Sequence, residues 1–191
     1  DANTKGGQFV WIPVGKIKTS QGEKTITLGR YDFNTSGNVI QVSSSFKEET
    51  ASEHASSGYG NTIAKDINAF KNSANANGGY YIGRYEAGDA LATSSARRSN
   101  TSDKNPIVCK TGVYPYSYIR QPQAASLCQN MYSSNNFTSD LINSYAWDTA
   151  IVFIQECSGD KNYSKQIGRN AKRSLQKVGE SILANVDSGD E

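Results

Sequence analysis

The chain has 191 residues and a mass of 20.7 kDa, which suits one domain or one domain with appendages. Lys and Arg number 20 against 18 Asp and Glu, so the formal charge is +2, too balanced to attract nucleic acid or an anionic membrane. A hydrophobic fraction of 36%, an aromatic fraction of 10% and 17 glycines, with a mean hydropathy of −0.61, describe a polar, loop-rich chain that still has material for a core. The longest strongly apolar stretch, Ala150-Ile151-Val152-Phe153-Ile154, is far shorter than the ~20 residues of a bilayer-spanning helix. One histidine and three cysteines are too few ligands for HExxH zinc sites, Cys/His fingers or two-His iron sites, so no metal site is expected. His54 could alone serve a Ser-His-Asp triad, but its polar surroundings (Glu48 to Gly58) hold no apolar anchor for an imidazole, and an exposed loop residue is the plainer reading. Without a GxSxG elbow, a Walker loop or a GxGxxG after a strand, acyl and phosphoryl transfer lack their usual scaffolding.

In chain order, Asp1 to Gln8 is polar and lacks the basic and apolar regions of a signal peptide, so residues 1–8 read as a flexible start. Phe9 to Val14 is a short apolar run read as a buried strand. After the turn Thr19-Ser20-Gln21-Gly22-Glu23, Lys24 to Tyr31 alternates like its hairpin partner. Asn38 to Val42 is a further strand, and Ser43 to Gly60 is Ser/Glu-rich and expected to be mobile. From Thr62 a helix is predicted: Ile63, Ile67, Phe70 and Ala74 recur at helical spacing, Asn61 or Thr62 caps the start, and Asn77-Gly78-Gly79 stops it. Tyr80 to Glu86 is β-rich, with Arg84 and Glu86 two apart on one strand face, which suggests a structural ion pair. Ala90 to Asn105 is another polar loop. A second helix is predicted over Pro122 to Tyr132, with Leu127, Cys128 and Met131 inward. The third is capped by Thr138 or Ser139 with Asp140 in its first turn, and Leu141, Tyr145, Ala146, Ala150, Phe153 and Ile154 form its apolar face. Beyond Gly159 periodicity fades and no internal repeat is visible. The class is α+β: short strands, two or three helices and long irregular loops.

Two sets of residues could carry function. Tyr114, Tyr116 and Tyr118 alternate and would share one strand face, with Arg120 beyond them. Such a face suits a sugar ring or a partner protein, and a core stripe or a covered sheet surface is the plainer reading. Cys109 falls at a strand-like segment and Cys128 in the second helix. A bridge between them would close a loop of about 20 residues and stabilise by roughly 3 kcal/mol. That leaves Cys157 for a partner outside the chain. The alternative is three reduced thiols packed in a core. Neither a CxxC motif nor a neighbouring histidine supports a reactive thiol at Cys157.

Phe9-Val10-Trp11-Ile12-Pro13, Gly79-Tyr80-Tyr81-Ile82-Gly83-Arg84-Tyr85-Glu86, Gln121-Pro122-Gln123-Ala124-Ala125 and Ser139-Asp140-Leu141-Ile142-Asn143-Ser144-Tyr145-Ala146-Trp147-Asp148-Thr149-Ala150 follow one another in a familiar order. Together they resemble the N-terminal half of a formylglycine-generating-enzyme-like (sulfatase-modifying-factor) domain, in the divergent form carried by surface and secreted proteins of Firmicutes and their phages. The resemblance covers roughly Phe9 to Gly179. It implies a C-type-lectin-like fold: a small antiparallel sheet, flanking helices and much irregular chain. Residues 9–179 would then be the N-terminal part of one lectin-like domain, and 180–191 a polar tail leading to a missing segment. Family members continue with a segment like N-I-Y-D-M-x-G-N-x-x-E-W-T, whereas this sequence stops at Asp187-Ser188-Gly189-Asp190-Glu191. The enzyme's paired copper-binding cysteines and its calcium loops belong to that half, and Cys109, Cys128 and Cys157 match none of its catalytic positions. The resemblance therefore implies an incomplete domain without catalytic residues or cofactor of its own, calcium entering only through the missing half.

The function expected is a non-catalytic, extracellular or cell-surface binding or assembly protein: an adhesin, a pilin-like subunit or a receptor-binding module. Its expected partners are a second chain or the missing C-terminal segment, a protein or glycan ligand, and further copies of itself in an oligomer or filament. Two alternatives stand beside it, a formylglycine-generating oxidase acting on sulfatase cysteines with its catalytic half elsewhere, and a purely structural filament subunit.

Overall fold

The computed structural model describes residues 6–34, 36–42, 67–89, 91, 107–116, 121–132, 137–160 and 162. The expected helix start at Asn61 to Ile63, the Ser/Glu-rich stretch with His54, most of the 90–105 loop and the tail 180–191 lie outside them. Short strands and helices follow in the order β1 (Phe9–Pro13), β2 (Gly15–Thr19), β3 (Gly22–Ile26), β4 (Tyr31–Phe33), β5 (Val39–Gln41), α1 (Ile67–Asn77), β6 (Gly79–Gly83), β7 (Gly88–Asp89), β8 (Ile107–Val108), β9 (Tyr114–Pro115), α2 (Gln121–Gln129) and α3 (Ser144–Ser158). This is an α+β chain of small sheets and few helices. Among the described residues no helix is long and apolar enough to cross a membrane. The chain divides into two compact units, one of Asp1–Ile12 with Lys47–Asn143, the other of Pro13–Phe46 with Ser144–Glu191.

In the first unit β1 pairs with β6, and β7 lies between β8 and β9 in a three-stranded antiparallel sheet. Helix α1 precedes β6 directly. It buries Ala74, at 1% exposure, and Phe70 stands edge-on to Tyr80 at 5.1 Å. The helix stops at Gly78, whose φ of 70° is the left-handed conformation that closes helices. Ile12, Ile107, Val108, Cys109 and Ala125 are the other buried hydrophobic side chains of this unit among the described residues, and Asp89 is buried with them. The strand expected over Tyr80 to Glu86 ends at Gly83. Arg84 lies past its end, where its Nη1 donates to Gln8 Oε1 at 3.0 Å.

The second unit contains two hairpins and α3. Strands β2 and β3 run antiparallel from Gly15↔Ile26 to Thr19↔Gly22. Their turn is tied by Thr19 Oγ1, which accepts from Gln21 N at 3.1 Å and donates to Gly22 O at 2.9 Å. The hairpin partner of β3 is therefore β2 and not the Phe9 strand. Gly15, at φ 110°, opens β2 and lets the chain turn out of β1, which pairs with β6 instead.

Lys24 to Tyr31 is also not one strand: β3 ends at Ile26, and β4 opens at Tyr31 to pair with β5. The backbone between them is held by side chains of α3. Thr149 Oγ1 accepts from Gly29 N at 3.1 Å, and Asp148 Oδ2 accepts from Tyr31 N at 2.9 Å and Arg30 Nε at 2.8 Å. These bonds also explain why the face α3 buries differs from the expected one. Ala146, Asp148, Thr149, Ala150, Val152 and Gln155 are buried, whereas Ile154 is exposed. The start of α3 moves for a related reason. It begins at Ser144 rather than near Ser139, because Ser139 and Asp140 are bound to the end of α2. Ser139 Oγ donates to Cys128 O at 2.6 Å and accepts from Tyr132 N at 3.0 Å. Asp140 Oδ1 accepts from Gln129 Nε2 at 3.0 Å.

Candidate functional site

Alternation along β1 puts Phe9 and Trp11 on one face of the strand. On β6 it sends adjacent tyrosines to opposite faces: Tyr80 goes toward Phe70 of α1, and Tyr81 meets Trp11. The Trp11 and Tyr81 rings stand edge to face, 4.9 Å apart at 64°, the geometry that aligns one ring's positive edge with the other's negative face. Both are exposed, Trp11 at 39% and Tyr81 at 68%. Gly79 makes their approach possible, since a Cβ there would lie 2.5 Å from Trp11 Cζ2 and collide with the Ile12 carbonyl oxygen. Phe9 continues the row, its ring edge-on to Tyr132 at 5.6 Å. Polar groups border it at the Gln8 end, where Arg84 reaches Gln8 and lies 5.5 Å from the Tyr85 ring. The result is an exposed aromatic face with hydrogen-bonding groups about 10 Å away along the strand.

Of the residues singled out from the sequence, Tyr114 lies in β9 opposite Asp89 and is 42% exposed. Tyr116 is half-buried past the strand's end, its N donating to Ala87 O at 3.1 Å. The alternating strand expected through Tyr118 is only Tyr114–Pro115, and Tyr118 and Arg120 lie outside the described residues. The sequence signal for the row at Trp11 and Tyr81 is alternation in Phe9-Val10-Trp11 together with the glycines on either side of Tyr80-Tyr81-Ile82. No group of three or more His, Cys, Asp or Glu that could hold a metal occurs among the described residues.

Cys109 is buried and Cys128 and Cys157 are partly buried, all three as free thiols. Burial is the main cause that raises each thiol's pKa. Cys128 is pushed up to about 12 by burial, then by the charges of Cys109 and Asp140. A thiol raised in the folded state stabilises below its unfolded pKa, near 8.5, and that contribution disappears as pH rises through the folded value. In reductant, wild-type stability should fall between about pH 9 and 12 by about 3 kcal/mol more than that of Cys128→Ser. Urea denaturation at pH 8 and pH 11 measures this difference.

No protein-family description, curated protein or solved structure matches the chain.

Proposed function

We propose that this chain is a non-catalytic, extracellular binding module on a lectin-like scaffold, and that it takes a saccharide on the Trp11–Tyr81 face. The observation that supports this reading is the exposure of two aromatic rings locked edge to face on a paired strand. An exposed ring face that a neighbouring ring already holds in place costs little entropy to occupy and matches the C–H face of a pyranose, and the polar groups at the Gln8 end lie where a further sugar unit of an oligosaccharide would reach them. The α+β arrangement of short antiparallel pairings is compatible with a lectin-like domain, and the fold itself does not select the ligand.

The test is a glycan array probed with the whole chain, followed by calorimetric titration of the oligosaccharides that bind. Trp11→Ala and Tyr81→Ala should each weaken binding about tenfold or more, the equivalent of about 1.4 kcal/mol. The chain has two tryptophans, so Trp147→Phe leaves Trp11 as the only indole, and its emission should shift as sugar is added. Absence of saccharide binding together with concentration-dependent polymer growth would replace this reading with the filament subunit.

A further inference from the structure

We propose that Cys109 and Cys128 close to a lasting intramolecular disulfide that ties the end of β8 to α2, and that Cys157 takes no part in it. This stands independently of the saccharide reading.

Both cysteines belong to the first compact unit, whereas Cys157 lies in the second. A chain of contacts within this unit leads from one to the other. Cys109 O accepts from Gln8 N at 2.7 Å, which sets Cys109 beside the first residues of β1. The next residue, Phe9, packs on Tyr132. Tyr132 is bound through Ser139 to the carbonyl of Cys128, and Met131 N donates to that same carbonyl at 3.1 Å. The Cys109 sulfur lies against Gly83, where an added Cβ would stand 2.9 Å from its Sγ. Electrostatics agrees with the placement: burial raises both the Cys128 thiol and the Tyr132 hydroxyl, and charge on Cys109 is the next cause for each. A glycine at position 83 thus leaves the space that the Cys109 sulfur occupies.

The reaction needs an oxidant, here a small-molecule disulfide such as oxidised glutathione. One cysteine thiolate attacks it, forms a mixed disulfide and releases one small thiol. The second cysteine then displaces the other, so two protein thiols and one small disulfide become one protein disulfide and two small thiols. Raised thiol pKa values make this closure slow at neutral pH and faster as pH rises. They also make Cys128 a poor leaving group, which protects the closed bridge from reductants. Cys109 is also buried and Cys128 partly so, which keeps a reductant from the bridge in the folded chain, so the pair is suited to a durable crosslink rather than to rapid redox exchange.

The experiment treats the whole folded chain with a glutathione redox buffer at pH 8.5, alkylates remaining thiols, and reads intact mass and a non-reduced peptide map. The expected product has lost two hydrogens, carries one alkyl group on Cys157 and yields a crosslinked peptide containing Cys109 and Cys128. Cys157→Ser should show the same two-hydrogen loss with no alkylation, and Cys128→Ser should show none. The oxidised chain should melt roughly 5–10 °C above the reduced one, and dithiothreitol should open it quickly only after urea is added. Alkylation of all three cysteines in the oxidising buffer, or a crosslink that includes Cys157, would overturn the proposal. If Cys128→Ser does not fold, the wild-type peptide map alone decides.

Discussion

Asp148→Ala should destabilise the chain by about 3–5 kcal/mol. The carboxylate is 6% exposed and one oxygen serves both Arg30 Nε and Tyr31 N. Its removal takes the shared carboxylate oxygen away from a guanidinium that is 23% exposed and from a backbone donor. A partly buried charge that loses a close counter-ion costs more than the pair contributes, so truncation of one partner exaggerates the net value of the bond. Two companion variants separate these terms. Asp148→Asn keeps an acceptor and removes the charge, so its loss should be smaller. Replacing both partners, Arg30→Met with Asp148→Leu, should recover much of the stability. Lys16→Ala provides the surface control: its pair with Glu23 has side chains 76% and 57% exposed, and such pairs change stability by less than about 1 kcal/mol. Urea denaturation should show midpoints in that order with an unchanged slope.

Gly79→Ala should be nearly as damaging, at about 3 kcal/mol, for reasons that involve no lost bond. Its φ of 153° lies where L-residues are strained, and the added methyl would strike the Ile12 carbonyl oxygen and the Trp11 indole. The indole can turn away, but the carbonyl is fixed in the β1–β6 pairing and has nowhere to go. Backbone strain and overpacking each cost of order 1–3 kcal/mol. Gly112→Ala isolates the conformational part, since φ there is 76° with nothing within 4 Å of the new methyl, and it should cost only about 1 kcal/mol. A larger loss at position 79 than at 112, with a change in Trp11 emission, is the expected result in thermal melts read by fluorescence.

The α+β class, the strand at Phe9 and the helix ending at Gly78 were legible because each rests on a local signal: an apolar run, a helical period, a glycine stop. A local signal misleads where a distant partner overrides it. Lys24 to Tyr31 alternates like one strand, yet Thr149 and Asp148, over 110 residues away, take its backbone groups. Ser139 and Asp140 have the chemistry of a helix start, but hydrogen bonds to the end of α2 occupy them first. Ile154 fits the apolar period of α3 and is nonetheless exposed, because two polar anchors rotate the helix toward Asp148 and Thr149. The aromatic row was missed for the converse reason: neither Trp11 nor Tyr81 is unusual in its own segment, and the face exists only once β1 pairs with β6.

Connectivity has a cost during synthesis. The first twelve residues belong with Lys47–Asn143, while the segment after them waits for Ser144 onward. The ribosome releases the β2–β3 hairpin early, yet the side chains that seal its exit toward β4 emerge only after about a hundred further residues. At the usual 5–20 residues per second, that leaves Arg30 and the Gly29 backbone open to solvent, chaperones and neighbouring nascent chains for seconds. A translational pause placed before Ser144 would lengthen that vulnerable interval.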